Sequence, residues 1–279
     1  MNMKVKNKIL LVGRILLLGF FLAVVIIPIY WMFVTSLKTQ ADAISLDIQY
    51  WPKNPTLMNY RAVLMETQFV AFLKNSLIVA VVSGFLVLLV AIPGGYALSR
   101  YNYKGKSATM IGFLVTQMIP GTLLLVPLFI VFANIRLQDT LWSLIIYYTA
   151  LQVPFCTITM QGFFINIPVV IEEAAKIDGC TLRQTIMKIV LPVMLPGIIA
   201  VFIFAFVSGW NDLLGGIMFI NSETKRTIPV GLSYYVGQYS IKWGEMTAGG
   251  MMALIPSAIL FAVAQKYIVE GMTSGAVKG

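Results

Sequence analysis

The residues of this chain that could do chemistry are defined first by a missing one. No histidine occurs in its 279 residues, which excludes Ser-His and Cys-His catalysis, H-E-x-x-H zinc proteases and His-Asp proton relays. The two cysteines, Cys156 and Cys180, fall in an apolar run and in a polar loop. That placement predicts no disulfide, and two thiols alone make no metal site. No G-x-x-x-x-G-K-[ST] phosphate loop occurs. The sequence therefore predicts no catalytic residue, no metal and no cofactor bound by this chain. Two kinds of binding chemistry remain: carboxylates beside small residues in one polar loop, and uncharged hydrogen-bonding groups inside apolar runs.

The polar loop is the stretch from Asn166 to Gln184. Asn166 is expected to cap a helix and Pro168 to sit in its first turn. Glu172 and Glu173 then lie near the positive end of the helix dipole. Glu172 and Lys176 are spaced i,i+4 in the favourable order for an ion pair. Gly179 suits the left-handed position that ends a helix. Thr181 and Gln184 match a capping box that opens a second helix. Val170, Ala174 and Ile177 share one face of the first helix, and Ala174 and Ala175 are small enough for another backbone to approach. With Asp178, the segment carries three acids against one lysine. A helix lying flat on lipid favours Lys and Arg instead, so the composition favours docking into a protein groove.

The second set is Gln117, Tyr147, Tyr148, Thr149, Gln152, Thr157, Thr159 and Gln161. Such groups suit a path for a neutral, hydroxyl-rich solute. They also serve as interhelical glue in any membrane bundle. Trp210, Asn211 and Asp212 close an apolar run, as a gate or as an interfacial belt and helix end.

The elements that must position these groups are membrane spans. Hydrophobic residues make up 59% of the chain and charged ones 11%, against roughly 25% charged in a soluble domain. Mean hydropathy is +0.86. These values exclude a soluble enzyme, a disordered chain and a nucleic-acid binder. Charge-free runs at 15–37, 75–99, 107–135, 140–171, 189–211 and 246–265 are each long enough to cross a ~30 Å hydrocarbon core. They predict six helices. Another run, 227–241, is too short and polar, and reads as interfacial or re-entrant. Lys4, Lys6 and Lys8 before the first run read as an uncleaved signal anchor. With the N-terminus inside, 12 of the 20 Lys and Arg lie on the inner side, as the positive-inside rule requires. Six spans then return the C-terminus to the cytoplasm. Prolines 28, 93, 120, 127, 154, 192, 196 and 256 lie in or beside spans, as kinks or as breaks lining a pathway. No ionisable residue sits inside the runs and no internal repeat is visible, which disfavours an ion-coupled secondary transporter.

One pattern is specific. Glu173-Ala174-Ala175, three residues, Gly179, nine residues, Ile189, one residue and Leu191-Pro192 resembles the EAA loop of ABC importer permeases at its full spacing. Trp210-Asn211-Asp212, the Ile228–Leu232 stretch and the tail from Gly275 resemble the MalG-type permease subunit of carbohydrate-uptake ABC importers, and the likeness covers essentially the whole chain. The resemblance implies an all-α membrane protein with six transmembrane helices and the type I (MetI-like) importer fold. It implies residues 1–70 as arm, first span and first outer loop, 71–270 as permease core, and 271–279 as a cytoplasmic tail. It also implies a bacterial cytoplasmic (inner) membrane protein that transports a sugar, of di- or oligosaccharide type. The partners it implies are a second, different permease, two ATPase subunits that carry ATP and Mg, and an extracytoplasmic solute-binding protein. By the same resemblance, Glu172, Glu173, Ala174, Ala175, Ile177, Asp178 and Gly179 belong to the ATPase-coupling helix. Gln238, Tyr239, Ser240, Ile241 and Lys242 meet the binding protein, and Gly275, Ala276, Val277, Lys278 and Gly279 meet the ATPases. Permeases for non-sugar solutes share the EAA loop, so the sugar assignment rests on the matches outside it.

Overall fold

A computed structural model describes residues 3–237 and 240–276. Helices dominate it, and the described chain has only an isolated antiparallel bridge between Val236 and Ile241. The chain divides into two compact units, one of residues up to Phe69 with Leu232–Leu254, the other of Val70–Gly231 with the segment from Ile255 on. The segment after residue 70 is not one continuous unit, since Leu232–Leu254 groups with the N-terminal residues. The 232–254 segment packs with the N-terminal unit because its Leu232, Tyr235, Ala248 and Met252 share one apolar cluster with Tyr60, Val63 and Phe69.

In the first unit, α1 spans Met3–Ser36. Its apolar residues run all round the helix, and none of its most apolar window is buried within the chain, the pattern of a helix made for hydrocarbon. Two short helices follow, α2 (Gln40–Ala43) and α3 (Met58–Glu66). Asn59 ties them to the end of α1. Its Nδ2 donates to the carbonyls of Ser36 at 2.8 Å and Lys38 at 2.7 Å, two of the acceptors that a helix end leaves open.

In the second unit, α4 (Phe69–Arg100) and α7 (Leu141–Ile165) are long continuous helices. They approach closely because α4 has glycines where α7 has backbone: a Cβ at Gly95 would stand 2.9 Å from the Gln161 nitrogen. Small residues at such crossings are the usual means of packing without a hydrophobic driving force between helices. The third expected span is broken. α5 (Lys106–Met118) ends before Pro120, and after a 3-10 turn at Gly121–Leu124 the chain resumes as α6 (Leu125–Asn134). The two halves meet at 88°. The fourth ends at Ile165 rather than 171, because Pro168 forces the residue before it out of helical geometry. α8 (Val169–Ile177) and α9 (Leu182–Val193, with a π turn at Ile186–Val190) follow. α10 (Leu195–Asn211) then turns by 77° from α9. Short α11 (Leu214–Phe219) and α12 (Ile228–Ser233) lead to α13 (Trp243–Ala276), which is shared with the first unit.

By length and hydropathy, four helices can cross a membrane, or six if each bent pair counts as one span. The breaks fall at Pro120 and between Pro192 and Pro196. At Pro28, Pro93, Pro154 and Pro256 the helix continues through the proline. The expected polar segment at 227–241 holds α12, and the expected tail is helical as far as Ala276.

Candidate functional site

The loop between α7 and α10 is built by its own sequence at both ends and by a distant helix in the middle. α8 starts at Pro168, whose extended backbone (φ −59°, ψ 130°) makes it the N-cap. Asn166 closes α7 instead of opening α8, and its amide donates back to Gly162 at 3.1 Å. At the far end Gly179 has φ +80°. The Cys180 N–H donates to Ala175 O at 2.9 Å and the Gly179 N–H to Lys176 O at 3.1 Å, the paired bonds of a Schellman stop. The capping box is present: the Thr181 N–H donates to Gln184 Oε1 at 2.8 Å, and the Gln184 N–H to Thr181 Oγ1 at 3.4 Å.

Glu172 departs from the i,i+4 expectation. It turns away from Lys176 and is 3% exposed. Its Oε1 accepts from Arg100 Nε at 2.7 Å and its Oε2 from the Tyr96 hydroxyl at 2.7 Å. Arg100 also donates Nη2 to Ile167 O at 2.9 Å. A buried carboxylate needs a buried cation and full hydrogen bonding to be tolerated, and the end of α4 supplies both. An exposed pair with Lys176 would contribute only a few tenths of a kcal/mol. Ala175 also turns inward, at 2% exposure, so of the two alanines only Ala174 is open to another chain. Val170, Glu173, Ala174, Lys176, Ile177 and Asp178 are exposed, Ile177 at 86%. The helix thus has one face locked to α4 and an uncovered face whose centre is apolar.

The solute-path candidates separate into structural and open groups. Thr149, Thr157 and Thr159 donate to carbonyls four residues back in their own helix. Gln161 is buried and bonded to Leu98 O at 3.3 Å. Gln152 bridges α7 to Ser208 of α10 at 2.6 Å. Tyr147 is buried against Tyr148 and Phe219. Tyr148 donates to Asp212 Oδ2 at 2.9 Å, which also accepts the Gly215 N–H at 2.7 Å, so Asp212 is a joint between α7, α10 and α11. Trp210 is buried and stacks on Phe206, while Asn211 and Gln117 are exposed.

At the 237–242 loop, Gly237 N–H donates to Ser240 O at 2.9 Å, Gln40 Nε2 to Ile241 O at 2.7 Å, and Lys242 pairs with Glu245 at 3.0 Å. Gln238 and Tyr239 lie outside the described residues, as do Val277, Lys278 and Gly279; Gly275 and Ala276 end α13.

Sequence reasoning missed Arg100, Tyr96 and a second knot at Asp139. Asp139 has φ +55° and accepts from the N–H groups of Asn221 and Ser222, from the Ser222 hydroxyl and from Lys225 at 3.0 Å. Burial pushes its carboxyl up, but the bonds from Ser222, Lys225 and Asn221 outweigh this and hold it well below the usual carboxylate range. No local signal marked these residues, since each partner lies more than 60 positions away.

Apolar helices of membrane-spanning length, two of them bent pairs, with a helix–glycine–helix loop after α7, are the architecture of a polytopic membrane protein. The chain belongs to the family of binding-protein-dependent transport system inner membrane components, whose family model matches residues 90–274. It is 36% identical over 252 residues to the sulfoquinovosyl glycerol transport system permease protein SmoH of Agrobacterium fabrum, covering 90% of this chain and 88% of that one. It is 31% identical to the diacetylchitobiose uptake system permease protein DasC of Streptomyces coelicolor, over 91% of this chain and 92% of the relative. Its fold matches a bacterial ABC transporter involved in the import of the acidic polysaccharide alginate, with a TM-score of 0.79 over 94% of this chain and 98% of that one, at 22% identity.

Proposed function

We propose that this chain is one permease subunit of an ATP-driven importer that passes a sugar of di- or oligosaccharide type across the cytoplasmic membrane of a bacterium. It works beside a second, different permease, and both termini lie inside. Two ATPase subunits bind ATP and Mg, and an extracytoplasmic protein delivers the solute. The observation that carries the reading is the construction of α8. A lever between an ATPase and a pore must be gripped by both. Glu172 grips α4 from one side, and Val170, Ala174 and Ile177 leave the other side open to a cleft. The sugar assignment draws on the relatives named for glycoside transport.

Ala174→Trp tests it in the assembled complex. The exposed alanine has room for the indole within this chain, so the subunit inserts normally. Expected is a permease that no longer retains its ATPase, or whose ATPase ignores loaded binding protein. Full stimulated hydrolysis and uptake in this variant would remove α8 from the coupling role. Binding of candidate solutes to the cognate binding protein tests the sugar assignment separately.

A further inference from the structure

An apolar groove of about 440 Å³ runs between the inner half of α4 and α9, with Leu88, Ile92, Tyr96, Tyr101, Ile186 and Met187 on its walls. No carboxylate lines it. Leu89, also on the wall, is 71% exposed, so the groove opens onto the outer surface of this chain. The end beside Tyr101 is different. There the Lys106 ammonium donates to the Tyr101 carbonyl at 3.2 Å. Arg183 follows the groove residue Leu182 and precedes Met187 by four, on the same helical face. Its side chain is exposed and has no bonded partner among the described residues. Two cations thus adjoin residues that line the groove, Lys106 through its bond to Tyr101 and Arg183 next to Leu182 in the chain, while the walls themselves are apolar apart from the two tyrosines.

That polarity is the polarity of an anionic phospholipid. We propose that the groove holds one lipid of the inner leaflet, an acyl chain along Leu88, Ile92 and Met187 and its phosphate at Arg183 and Lys106. A purely apolar occupant would leave both cations without a counter-ion, and a lipid of zero net charge would satisfy them less well. α9 continues directly from the Gly179 turn, so the bound lipid braces the second arm of the loop that carries α8. The proposal rests on the inward placement of the 101–106 and 166–188 loops and not on the solute carried.

The test uses the complete complex, loaded with phosphatidylglycerol and then washed in zwitterionic detergent. Retained lipid is measured by mass spectrometry. Two basic residues at a membrane surface contribute about 1 kcal/mol each, so Arg183→Gln with Lys106→Gln should weaken retention by about 30-fold. Met187→Trp keeps the charges and fills the groove, and should also lose the lipid. A photo-cross-linking side chain at Leu182 should yield a lipid adduct. Retention unchanged in both variants, or cross-linking only to the second permease, overturns the proposal. Uptake by the same variants in phosphatidylcholine vesicles reports on the transport reading independently: loss of lipid with uptake intact leaves that reading standing.

Discussion

Glu172→Gln should loosen the inner loop far more than the neighbouring Glu173→Gln. Glu172 is 3% exposed and its two oxygens are each bonded at 2.7 Å, to Arg100 and Tyr96, whereas Glu173 is exposed. Removing one charge of a buried pair costs about 3–5 kcal/mol, because the other charge stays behind uncompensated. Gln fills the same volume and can still accept from Tyr96, and Arg100 keeps its bond to Ile167 O. The loss should therefore fall at the low end, about 3 kcal/mol, or roughly a 100-fold rise in the open population of α8. Hydrogen exchange over 167–181 in the detergent-solubilised complex reads this directly, with Glu173→Gln expected within about 0.5 kcal/mol of the parent. Replacing both partners, Glu172→Met with Arg100→Met, should recover much of the protection, since apolar pairs of similar volume are often neutral substitutes. Equal exchange in Glu172→Gln and Glu173→Gln would show that the ion pair does not hold α8, and the lever argument would fail with it. A double variant as mobile as the single one would point to lost shape and not to a stranded charge.

Gly179→Val should destabilise the turn by on the order of 1 kcal/mol or more through its φ of +80° alone, since a Cβ there meets nothing within 4 Å; Gly179→Asn should cost less, and identical exchange protection in the two would contradict the strain account. At Gly197 the reverse holds: φ is ordinary, but a Cβ would stand 2.6 Å from the Phe163 ring, so Gly197→Ala should cost about 1–3 kcal/mol in thermal unfolding while Gly162→Ala, with open space, should not. The Asp139 carboxyl is held low in the folded chain, so its contribution is present above its ordinary value and is lost as pH falls below about 4. Exchange at 221–225 should be flat from about pH 5 to 8 once corrected for intrinsic rates, and Asp139→Asn should abolish the acid-side loosening; a change centred near neutrality would assign the titration to another group.

The sequence by itself determined what its local chemistry could determine. The glycine stop at 179, the Thr181–Gln184 capping box and the apolar Val170–Ala174–Ile177 face depend on residues within a few positions of each other, and all are present, while the six apolar runs fold as four continuous helices and two bent pairs. The EAA spacing identified the family for the same reason, because it is a property of one short loop. Tertiary structure decided what depends on distant partners. Prolines 93, 120, 154 and 196 look alike in sequence. Yet α4 and α7 run straight through theirs, while the chain bends by 88° near Pro120 and by 77° ahead of Pro196. A proline only frees a carbonyl; whether the helix then breaks depends on what its neighbours offer that carbonyl and the flanking side chains. Glu172 shows the same division. Its spacing to Lys176 allows an exposed pair that does not form, because such a pair in water is weak, whereas a buried carboxylate with two donors is strong once another helix brings an arginine and a tyrosine to the same point. That meeting joins residues 72 and 76 positions apart, and it is set by the packing of α4 and α8, which no local pattern encodes.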